Sequence, residues 1–114
     1  MNIQIFGSKK CFDTKKAERF FKERRIKYQI IDMKEKGMSK GELSSVRVSV
    51  GIVNLINTKA KNYAKSNLGN IRSVETKEEV LLKDQTLINT PIVRNGNKAI
   101  VGYQPEIWEE WLKE

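Results

Sequence analysis

The chain has no histidine, a single cysteine and only two prolines among its 114 residues. Without histidine there can be no Ser-His-Asp or Cys-His catalysis, no His-containing zinc site and no Cys₂His₂ finger. The lone cysteine, Cys11, excludes an internal disulfide, and a free thiol suits a reducing compartment. No apolar run approaches the roughly 18 residues expected of a membrane span. Residues 1–7 lack a basic n-region and carry too short an apolar stretch to read as a signal peptide, so a cytoplasmic protein is the default expectation.

What is present fits one globular domain. Hydrophobic residues make up 39% and charged residues 32%, and a chain of this length buries about two thirds of its unfolded surface without disulfide staples. Lys and Arg number 22 against 14 Asp and Glu, a net charge of +8. Such an excess suits nucleic acid, anionic substrates or an acidic protein partner. Here the cations run from Lys9 to Lys113 with acids interleaved. No helix-turn-helix, zinc or RNP motif accompanies them, so a solvated face is the first reading, an acidic partner the second, and direct nucleic-acid binding is not expected.

Residues 2–6 alternate polar and apolar and predict a strand. A loop at residues 7–10 leads into a helix whose Ala17, Phe20, Phe21 and Arg24 follow helical spacing, with Asp13 and Thr14 as first-turn or capping residues and an end near Arg25. Residues 27–32 predict a second strand, parallel to the first because a helix connects them. Ser39 and Glu42 form a capping box that should start a helix ending near Val48 or Val50, punctuated by Gly51. Short helices are expected over residues 54–67, with Leu55, Ile56, Tyr63 and Leu68 as buried candidates. Another helix should begin near Ser73 or Glu75. Residues 90–94 and 98–101 flank a Gly-containing turn and predict a hairpin. The final helix has Pro105 near its first position and an apolar stripe of Ile107, Trp108, Trp111 and Leu112.

This order, β-α-β, helices, β-hairpin and α, predicts an α/β thioredoxin-like fold. It would hold a four-stranded mixed sheet, with a core of about residues 1–33 and 87–114 and a helical insertion of about residues 38–86. A cysteine at the head of the first helix and the Thr90-Pro91 pair opening the third strand both suit that arrangement. The segments Cys11 to Ala17, Gly51 to Lys59, Thr90 to Val93 and Val101 to Tyr103 together resemble the arsenate reductase family, in the branch that includes the Spx transcriptional regulators. The resemblance implies a cis Thr90-Pro91 bond beside a reactive Cys11.

A helix N-terminus and nearby cations lower a thiol pKa. Ser8, Lys9, Lys10 and Lys15 are therefore expected to support a thiolate or an anion at Cys11, together with Thr90, Pro91 and Arg94. Thr14 stands where a Cys-x-x-Cys motif has its second cysteine, and its hydroxyl can donate to the sulfur. The alternative is that Cys11 is a small buried hydrophobe. With no second cysteine, an external thiol such as glutathione or a partner protein must resolve it, and no bound cofactor or metal is expected.

The arginines that family members use to hold an oxyanion are missing. Ala64 follows Tyr63, Thr90 precedes Pro91, and the Gly102-Tyr103 region lacks the late arginine; Arg72 and Arg94 do not stand at matching positions. Guanidinium groups suit such anions better than lysine. A glutaredoxin-like monothiol oxidoreductase is therefore expected in place of a true arsenate reductase, with small thiols, protein thiols or disulfides, or a glutaredoxin as partners. The alternative is an Spx-like regulator that docks on the RNA polymerase α-subunit through Arg47 and Gly51.

Overall fold

The computed structural model describes residues 1–114. Its strands are β1 (Ile3–Gly7), β2 (Tyr28–Asp32), β3 (Ile92–Asn95) and β4 (Lys98–Val101). They form one sheet in the order β2-β1-β3-β4, with β1 parallel to β2 and antiparallel to β3. The hairpin β3-β4 closes the sheet on its far side. No helix is long and apolar enough to cross a membrane.

Side chains alternate across β1, so the two sheet faces have separate cores. On one face Ile3, Ile5 and Val93 pack against α1 (Phe12–Glu23) and α6 (Pro105–Leu112) through Ala17, Phe20, Phe21, Trp108 and Trp111. Phe20 and Trp108 meet edge to face at 5.1 Å. On the other face Phe6, Ile31 and Ile92 pack against the insertion. That insertion comprises α2 (Lys40–Val50), α3 (Ile52–Leu55), α4 (Tyr63–Ser66) and α5 (Val74–Lys83).

The helix signals differ in how far they reach. Ser39 and Glu42 make both arms of the capping box that starts α2. Leu55 and Leu68 are fully buried, whereas Ile56 and Tyr63 are only half-buried. The end of α1 falls earlier than its periodicity suggests: the helix stops at Glu23, and Arg25 takes φ +57°. The amide of Ile26 then donates to the Phe21 carbonyl at 2.9 Å, satisfying an acceptor that the helix end leaves open. Arg24 does not join the core; its guanidinium lies 3.7 Å from the Phe20 ring centre and pairs with Glu109 at 2.7 Å.

Candidate active site

The chain leaves β1 at Gly7 and turns through Ser8 to Lys10, where the Cys11 amide donates to the Ser8 carbonyl at 3.0 Å. Cys11 itself is the N-cap of α1, with extended φ −91° and ψ 116°. Its sulfur therefore occupies the place where a Ser or Asp oxygen would accept from the first-turn amides. No capping bond of ordinary length forms there. The amides of Thr14 and Asp13 nevertheless favour negative charge on the sulfur.

Thr14 stands in the first turn of α1, one of the two places its type suggested, with Cys11 as the N-cap. Thr14 is 3% exposed, and its hydroxyl oxygen accepts from the Ser8 amide at 3.3 Å. Gly7 makes this burial feasible, because a Cβ there would lie 2.3 Å from Thr14 Cγ2 and 2.6 Å from Oγ1. Across the thiol, Thr90-Pro91 is cis, and the Cys11 thiol donates to the Thr90 carbonyl at 3.7 Å. The Gly102 amide donates to the Pro91 carbonyl at 2.8 Å, which ties the β4-α6 corner to the same loop. Gly102 has φ +89°, a conformation that suits glycine.

Burial pushes the Cys11 thiol up, but hydrogen bonds from the Thr14 and Thr90 side chains and the Thr14 and Asp13 amides outweigh it. The thiol consequently sits below its ordinary pKa. These hydrogen bonds lower it, not the charges of Lys9, Lys10 and Lys15. Lys9 faces Glu35 at 3.9 Å, Lys15 lies over the Phe12 ring at 5.8 Å, and Lys10 is exposed. At the exposed turn preceding the thiol, the Lys10 amide donates to Ser8 Oγ at 3.3 Å.

Arg94 does not join this group. It pairs with Gln4 in the β1-β3 register, donates to Gln4 Oε1 at 3.1 Å and reaches Ser45 of α2 at 3.3 Å. Strand register directs it to the insertion face, away from the thiol. Arg47 is likewise engaged, donating to buried Glu78 of α5 at 2.9 Å, and Glu78 also accepts from Ser44. Gly51, exposed at φ +86°, links α2 to α3 far along the chain from Cys11. A groove of about 590 Å³ between α1 and β2 is lined by Ser8, Lys9, Thr14 and Lys15 but not by Cys11.

Sequence reasoning passed over three residues here. Gly7 carries no local signal, because its role depends on α1 lying over the end of β1. Phe12 is 76% exposed beside the thiol. At 3.6 residues per turn it lies about 130° from the Ala17-Phe20-Phe21 line, so a helical projection would have revealed it. Tyr103, 42% exposed, packs edge to face on Trp108 at 5.5 Å.

A family model described as the ArsC family matches residues 6–111. An uncharacterized Bacillus subtilis protein, YusI, is 27% identical over 115 residues, covering 96% of this chain and 98% of its own. Among solved structures, an arsenate reductase from Vibrio cholerae superposes with a TM-score of 0.85 at 24% identity, covering 96% of this chain and 97% of that one. An ArsC-family-related protein from Bacteroides fragilis superposes at 0.83 and 22% identity, covering 96% and 97%. These structural likenesses show the thioredoxin-like fold, and the match over almost the whole chain shows that this protein belongs to the ArsC family.

Proposed function

We propose that this ArsC-family protein is a monothiol oxidoreductase that works by thiol-disulfide exchange at Cys11. The observation that carries the reading is the sulfur at the N-cap of α1, opposite Thr90 and held below its ordinary pKa by hydrogen bonds. The Cys11 thiolate attacks one sulfur of a mixed disulfide, that S–S bond breaks, and the other sulfur leaves as a thiolate. Cys11 then carries the retained half as its own mixed disulfide. A second thiol, glutathione or the cysteine of a glutaredoxin, attacks the retained sulfur, forms a new disulfide with it and returns the Cys11 thiolate.

Arsenate reduction is not the reaction we assign. An oxyanion clamp calls for guanidinium groups aimed at the sulfur, and Arg94, Arg47 and Arg24 are held by Gln4, Glu78 and Glu109. The test is iodoacetamide alkylation of Cys11 across pH, with mass spectrometry after oxidised glutathione. A titration below that of an ordinary thiol and a Cys11-glutathione adduct are expected. An ordinary titration with no adduct overturns the reading, and Cys11-dependent arsenate turnover with glutathione and glutaredoxin overturns the exclusion.

A second reading has one observation of its own. Val48 and Val53 are 76% and 73% exposed on either side of exposed Gly51, an apolar corner suited to a protein partner. Docking of the RNA polymerase α-subunit there would show as co-purification that Val48→Asp abolishes. No retention of the α-subunit by the parent protein removes this reading.

A further inference from the structure

The outward face of α1 is a basic ridge that begins at the thiol. Phe12, Lys15, Lys16, Arg19 and Lys22 fall within one sector of the helix and are all exposed. From Phe12 to Lys22 the ridge runs about 15 Å at 1.5 Å per residue. Only Lys16 among these cations has a carboxylate partner, Asp13 at 3.8 Å; Lys15, Arg19 and Lys22 have none within salt-bridge reach. Beside the ridge a groove of about 390 Å³ opens between α1 and α6, with Lys16, Arg19, Glu23 and Arg24 on one wall, cations outnumbering the single carboxylate, and Tyr103 on the other. Lys16 sits 5.6 Å from the Tyr103 ring centre. Two exposed aromatics thus border this cationic surface, Phe12 next to the thiol in sequence and Tyr103 beside Lys16.

We infer that this ridge and groove dock an acidic polypeptide segment that delivers its own cysteine, with an adjacent apolar residue, to Cys11. The inference rests on the thiol-exchange reading and names its substrate class as acidic protein thiols and disulfides. Charge complementarity selects the partner: free cations along α1 attract carboxylates and raise the encounter rate, while Phe12 offers an apolar contact at the reacting end. Nucleic acid is disfavoured because a polyphosphate brings no sulfur for exchange at Cys11.

Two synthetic peptides test this on the full chain. Both carry a central Phe-Cys pair whose cysteine is activated as a mixed disulfide with thionitrobenzoate; one is flanked by glutamates, the other by lysines. Cys11 attacks the peptide sulfur, the S–S bond breaks, and the better leaving group departs as coloured thionitrobenzoate. Each rate is divided by the rate of iodoacetamide alkylation of the same protein, which corrects for the thiol itself. The acidic peptide should react about tenfold faster at low ionic strength, and salt should shrink the difference. Arg19→Glu combined with Lys22→Glu should abolish or invert the preference.

Equal rates for the two peptides, or a preference that the double variant leaves intact, would overturn the docking surface while the thiol-exchange reading stands. No exchange with either peptide would overturn both. A short DNA duplex that suppresses the reaction more strongly than a cysteine-free acidic peptide would reassign the ridge to nucleic acid and overturn the proposal.

Discussion

Gly7→Ala adds one methyl group where β1 turns toward the thiol. The new Cβ would meet Thr14 Cγ2 at 2.3 Å and Oγ1 at 2.6 Å, both well inside van der Waals contact. Thr14 is buried and its hydroxyl is bonded to the Ser8 amide, so it has no free rotamer into which to retreat. The first turn of α1 must shift instead, and overpacking of this kind costs about 1–3 kcal/mol. For a domain of this size that loss corresponds to roughly 5–15 °C in Tm. The shift also moves the Thr14 hydroxyl and amide away from the sulfur, so the Cys11 titration should rise. Urea denaturation measures the first effect and pH-dependent iodoacetamide alkylation the second. Thr14→Ala removes the clashing atoms, so in the Gly7→Ala background it should cost less than it does alone. Such non-additivity marks direct contact. A stability change under about 0.5 kcal/mol, within the range of an ordinary surface substitution, with an unchanged alkylation profile would refute the reasoning.

Thr14→Val keeps the shape of the side chain and deletes the hydroxyl that helps lower the Cys11 thiol. Because a lowered pKa favours the thiolate, its loss should move the alkylation curve to higher pH and slow the reaction at neutral pH; an unmoved curve contradicts that role. Glu78→Ala strips partners from Ser44 and the half-buried Arg47. It should cost about 2 kcal/mol in urea denaturation, since a charged hydrogen bond is lost and its partner left unpaired. Ser39→Ala removes one arm of the α2 capping box and should cost about 1 kcal/mol by the same measurement.

Much of the frame is written locally. Alternation in β1, helical spacing in α1 and α6, the Gly96 turn and the Ser39-Glu42 box each depend on residues a few positions apart, so the element order is legible from the chain alone. The end of α1 is an exception, because Arg25 takes the left-handed conformation that glycine usually marks. At the site, sequence placed Cys11 at a helix start and offered the Thr14 hydroxyl as a donor to its sulfur, but it also counted the lysines as a cause of the low pKa. Counting nearby lysines pointed to charge, whereas flexible exposed cations are screened and the hydrogen bonds that lower the thiol come from buried Thr14 and from Thr90.

The sequence by itself determined which segments become strands and helices, which faces are apolar, and that one thiol must act without histidine or a second cysteine. Those properties follow from residue type and short-range spacing. Only the tertiary structure decided that Gly7 makes room for Thr14, that Thr14 accepts from the Ser8 amide, and that Arg94 turns to Gln4 and Ser45. Each of these contacts joins separate elements, so strand register and helix packing, not local composition, determine what each side chain meets.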